Sequence, residues 1–141
     1  MLIEEASKYH RGEPVFEIKI CDIENMDRES YRYETTKEVY FTMEEALKIA
    51  RKIAEEESYM SQVPEEPDFI LFVCIIYGRK YAKKNGYIYG SPKIVHIIST
   101  NTKEETDKAN KDKRWKKYEV NEYTTPPVVT KEEFYQWPDK G

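Results

Sequence analysis

The sequence predicts an α+β domain: an antiparallel sheet in the element order β-β-α-β-β, with one main amphipathic helix on one face. A polar C-terminal tail with one or two short helices follows. Three observations predict it. The aliphatic residues lean toward the β-branched, with 13 Ile and 8 Val against 3 Leu, and such side chains, stiff at χ1, fit a pleated surface. Twelve tyrosines push the same way. Segments of period two flank a single segment of period 3.6, which segregates strands from helix. At 141 residues the chain has the size of one domain. Its core is expected over 14–100, a polar segment over 101–127 and a docking segment over 128–141.

The first strand is read over 14–23, where Phe16, Ile18 and Ile20 alternate with Glu17, Lys19 and Cys21. That pattern describes a half-buried strand. Residues 31–41 alternate again, with Tyr31, Tyr33, Val39 and Phe41 on one face, and form its antiparallel neighbour. Thr42-Met43-Glu44-Glu45 is a capping box. The helix it opens carries the apolar stripe Met43, Ala46, Leu47, Ala50, Ile53 and Ala54. Glu55-Glu56-Glu57 sets negative charge at the helix's negative pole, so the helix ends there.

Phe69–Tyr77 is an unbroken apolar run, the mark of a central strand covered on both faces. Asn85-Gly86 then reads as a two-residue hairpin turn. That turn pairs Ala82 with Tyr89, Ile76 with Val95, Ile75 with His96 and Cys74 with Ile97. Gly90-Ser91-Pro92 interrupts the return strand as a bulge or kink, because Pro92 cannot donate to the ladder. Thr102-Lys103-Glu104-Glu105 is a second capping box, for a solvated helix within 103–117. Thr130-Lys131-Glu132-Glu133 is a third. It precedes Phe134, Tyr135 and Trp137, which are expected to dock on the sheet or on a partner.

Charge is unevenly spread. Residues 1–78 carry 9 basic and 18 acidic side chains, residues 79–117 carry 12 and 4, and residues 118–141 carry 2 and 5. A mildly acidic chain thus contains a basic third, a pointer to a polyanion. The candidate nucleic-acid surface is Arg79, Lys80, Lys83, Lys84 and Lys93 with Tyr81, Tyr87 and Tyr89, joined by the Lys-rich segment 108–117. Cations for phosphates and aromatic rings for bases are how single strands are held. The competing explanation is that charge at a hairpin tip keeps sheet edges from aggregating.

Reactive constellations are sparse. The two histidines, His10 and His96, and two scattered cysteines, Cys21 and Cys74, make no zinc spacing. No Gly-rich phosphate loop and no nucleophile elbow occur. The sequence implies no metal, no cofactor and no catalytic set, and Cys74, inside the most apolar strand, is expected to be inert. Cys21 is expected to be the more exposed thiol. The longest apolar run is nine residues, against the ~20 of a spanning helix. Two thiols without a leader segment suit the cytoplasm.

The first functional reading is therefore a cytoplasmic, non-catalytic interaction module that recognises a protein partner or self-associates through its sheet, as a homodimer for instance. Nucleic-acid binding through 79–93 and 108–117 is the alternative. An enzyme with a site near His96 is the third.

Overall fold

The computed structural model describes residues 1–22, 34–58, 70–83, 86–109 and 119–125. Their elements, in chain order, are α1 (Ile3–Tyr9), β1 (Pro14–Cys21), β2 (Glu34–Tyr40), α2 (Met43–Ser58), β3 (Phe72–Lys83), β4 (Gly86–Ser99), α3 (Lys103–Ala109) and β5 (Glu122–Tyr123). The strands form one sheet in the order β2-β1-β3-β4-β5. The first four are antiparallel neighbours, and β5 lies parallel to β4 through Ile98 with Glu122 and Ser99 with Tyr123. The domain is α+β, and its sheet is mixed rather than purely antiparallel. Both α1 and β5 are additions to the elements read from the residue pattern.

The long helix forms where its cap and stripe require. Thr42 Oγ1 accepts the amide of Glu45 at 3.2 Å, which satisfies one of the orphan donors of the first turn. Ala46, Ala50 and Ala54, one turn apart, are fully buried. Their small side chains let α2 lie close on the sheet, where Ile18, Ile20, Leu71, Val73, Ile75 and Ile98 complete the first core cluster. Thr102 caps α3 in the same way, accepting the amide of Glu105.

The opposite face is as well covered, and this corrects the reading of β1 as half buried. Val15, Glu17 and Cys21 point away from α2, yet are 0%, 3% and 0% exposed. The physical reason is position: β1 has a strand on each side, and α1 covers part of its outer face, with Ala6 packed on Val15 and Val39. Cys21 is thus not the exposed thiol. It joins Ile70, Phe72, Cys74 and Ile97 in a second cluster, with its Sγ 4.0 Å from that of Cys74. The two sulfurs are not joined in a disulfide. The Cys21 hydrogen bond, followed by burial, pushes the Cys74 thiol well above its ordinary value, in keeping with an inert sulfur.

The β3–β4 hairpin has the expected register at its base and a different one at its tip. Cys74 faces Ile97 and Ile75 faces His96, but Ile76 faces Ile94, Ala82 faces Tyr87 and Lys83 faces Gly86. Two irregularities produce the slip. One leaves Val95 as an extra residue beside Ile75–Ile76, and the other leaves Ser91 and Pro92 opposite Gly78. The second is the expected interruption, since proline lacks the N–H a ladder needs. His96 shares the α2 face with Ile98 by ordinary alternation, and the extra residue turns Ile94 to the second cluster. Tyr81 crosses the tip of the hairpin. Its ring edges lie where side chains at Gly12 (φ 80°) and Gly90 would begin, 3.2 and 2.8 Å from an ideal Cβ.

Candidate functional site

A groove runs along the sheet edge between α2 and β5. One wall is a single helix stripe of Arg51, Ala54, Glu55 and Ser58, spaced i, i+3, i+4, i+7. The other wall is the segment from Glu122 to Thr125, and Ile98 of β4 forms part of the floor. Its volume is about 570 Å³, within the roughly 300–1,000 Å³ usual for ligand clefts.

Glu122 fixes the two walls to each other. Arg51 donates Nε to Oε1 at 2.8 Å and Nη2 to Oε2 at 3.0 Å, in the bidentate geometry that favours this pair. His96 places Nε2 2.5 Å from Oε2, and because an ionised carboxylate only accepts, that nitrogen carries the hydrogen. Hydrogen bonding to Arg51 holds the Glu122 carboxyl below its ordinary value; His96 adds to the effect and partial burial opposes it. Glu122 in turn raises the guanidinium of Arg51. Three elements, α2, β4 and β5, meet on this one side chain.

Asn121 sets where β5 begins. Its amide donates to the Ile97 carbonyl and its side-chain Oδ1 accepts the Ile97 N–H, each at 2.9 Å. Thr124 gives its amide to the Asn101 carbonyl at 3.2 Å. Ile97 turns its N–H and C=O toward β5, so Ser99, two residues on, does too; of the parallel pair Ser99 and Tyr123 it is then Ser99 that bonds across, and Tyr123 turns its N–H and C=O away from β4. No strand lies beyond β5 among the described residues. Among the described residues the groove therefore has an open main-chain edge along one lip. The Thr124 hydroxyl, on the same wall, is buried without a hydrogen-bond partner among the described residues.

Of the residues expected to bind nucleic acid, the side chains of Arg79, Lys80, Tyr81 and Lys93 are described. Arg79 is exposed, with Nη1 3.5 Å from the Gly12 carbonyl, and Lys93 is exposed. Lys80 corrects the expectation of a solvated cation. It is 6% exposed, with Nζ 3.6 Å from Oε2 of the equally buried Glu17. Both side chains lie on the sheet face away from α2, where burial pulls the Lys80 ammonium below its ordinary value and Glu17 opposes the shift. Tyr81 is half buried over the two glycines rather than presented for stacking. The side chains of Lys83, Tyr87 and Tyr89, all of Lys84, residues 110–118, and Phe134, Tyr135 and Trp137 lie outside the described residues.

His96 stands behind Glu122, its side chain 16% exposed, and is not among the groove's lining residues. Among the described residues no group of three or more His, Cys, Asp or Glu side chains is arranged to hold a metal, and no helix is long and apolar enough to cross a membrane. The groove was not read from the sequence. The helix stripe was visible in the 3.6 period, but its partner wall is a two-residue strand about seventy residues away, and no local pattern links the two.

Fold and groove together define a class, an α+β domain with a helix flanking the last described strand of its sheet. No protein-family model matches the chain, and neither a curated protein nor a solved structure does.

Proposed function

We propose that this chain is a non-catalytic recognition module that binds an extended polypeptide segment by strand addition at β5. The observation that carries the reading is the coincidence of a groove with an outward-facing main chain at Tyr123. In strand addition, main-chain hydrogen bonds supply affinity, and pockets for alternate side chains supply specificity. A strand laid on β5 turns every second side chain toward α2, where Ala54 and Ile98 offer apolar surface and Ser58, Thr124 and Thr125 offer hydroxyls.

A binding role also suits the chemistry. Both oxygens of Glu122 are occupied by Arg51 and His96, which removes the acid–base pair a catalytic cleft would use. The test is selection of a phage-displayed random nonapeptide library on the folded protein, with Thr125→Trp as the control. Thr125 is exposed on the groove wall, so tryptophan there fills the groove without touching the core. Peptides that bind the wild type and lose at least about tenfold against Thr125→Trp support the reading. Selected peptides indifferent to that substitution contradict it.

A further inference from the structure

We infer that Cys21 and Cys74 form a redox clasp: a peroxide joins them in a disulfide that ties the end of β1 to β3, and a thiol reductant releases it. The inference goes beyond the strand-addition reading and does not depend on it. The sequence has two cysteines, and folding brings both to one place. Their Sγ atoms lie 4.0 Å apart although 53 residues separate them. Cys21 faces Phe72 and Lys19 faces Cys74, so the two cysteines are diagonal neighbours on adjacent antiparallel strands, within side-chain reach of each other. Closing the remaining gap takes rotations about the two Cα–Cβ bonds.

Burial keeps each sulfur from reagents in solution but not from the other. Both residues are 0% exposed and lie among Ile70, Phe72 and Ile97. A disulfide adds no charge to these apolar surroundings, whereas a thiolate or a metal thiolate does. Cys21 is the last residue of β1, and strand ends open at lower cost than strand centres. Opening there presents Cys21 to the peroxide first. Its sulfur takes one oxygen from hydrogen peroxide and becomes a sulfenic acid. The O–O bond breaks, and the thiol proton leaves with the other oxygen as water. When β1 closes again, the Cys74 sulfur attacks the Cys21 sulfur. The S–O bond breaks, the Cys74 proton leaves with the hydroxide as a second water, and the disulfide remains. Two electrons have passed from the thiols to the peroxide.

The experiment treats the folded, full-length chain with hydrogen peroxide, then unfolds it in an alkylating reagent and reads the intact mass. Thermal melting is followed before and after oxidation, and again with dithiothreitol. The expected product is a monomer lighter by two hydrogen atoms that takes up no alkyl group. It melts about 5–10 °C above the reduced chain, because the bridge restricts the unfolded state, and dithiothreitol restores the original melting temperature. In Cys21→Ala the same treatment leaves Cys74 open to alkylation and the melting temperature unmoved; the wild-type measurement stands without that variant. Recovery of both thiols intact, oxygen added to either sulfur without the bridge, or a bridge between two chains overturns the inference. So does an intramolecular bridge that leaves the melting temperature unchanged or lowers it.

Discussion

Glu122 accepts from side chains of α2 and β4 and is itself part of β5, so its ionisation couples to the integrity of the groove. Its carboxyl is held below the ordinary value, principally by Arg51. The stabilisation is therefore present in full above the unfolded value of about 4.3 and is lost as pH falls through the lower folded value. The Glu122→Gln variant is expected to melt roughly 3–5 °C below the wild type at pH 7 and to converge with it at acid pH. Parallel melting profiles across the acid range would contradict this. At Gly90 an added Cβ falls 2.8 Å from the Tyr81 ring. Gly90→Ala should cost about 1–3 kcal/mol in denaturant unfolding, and less than half of that in a Tyr81→Ala background, where the ring is gone. Lys80 and Glu17 are buried together. Lys80→Met alone should cost about 3–5 kcal/mol, because it leaves a buried carboxylate without its cation, whereas adding Glu17→Leu should restore much of that loss. Additive losses in the double variant would show that the two charges do not depend on each other.

At the scale of elements, local signals were legible and long-range ones were not. The Thr42 and Thr102 caps, the alanine stripe of α2 and the base of the β3–β4 hairpin all follow from residue types at fixed spacing. The hairpin tip slipped because a bulge at Val95 leaves no mark in the sequence, unlike the one at Ser91-Pro92. Helix α1 escaped notice because it has seven residues and no side-chain cap; its place is set by packing of Ala6 on Val15 and Val39. Strand β5 escaped notice because two residues give no period, and its attachment depends on Asn121 and Glu122 reaching distant parts of the chain. The Asn121 side chain, standing in for a strand carbonyl, should be the weak point of that attachment. In Asn121→Ala the Ile97 amide loses its acceptor, so its hydrogen exchange is expected to speed up by about tenfold, a loss of roughly 1 kcal/mol. Unchanged protection at Ile97 would mean that β5 is held without it.

The whole molecule has a sheet buried on both faces at β1 and β3, one edge at β2 and the other at β5. Leu2 bridges to Glu38 of β2, and the Val39 amide donates to the Met1 carbonyl, so the β2 edge is already partly covered. The β5 edge carries the groove. Within the basic hairpin that the charge arithmetic singled out, Lys80 turns into the sheet's second face and Tyr81 packs over glycine. Charge counted along a chain does not record which strand face each residue takes, and here that face decides whether a lysine meets solvent or a glutamate. The recognition role assigned to the groove depends on the outward main chain of Tyr123. Hydrogen exchange at the Tyr123 amide, measured by NMR in the free protein and with a saturating library-selected peptide, tests it most directly. Fast exchange that slows at least about tenfold on binding, with Ile97 unchanged, is the expected result. An amide that is already protected in the free protein, or that stays unprotected in the complex, would contradict strand addition at β5.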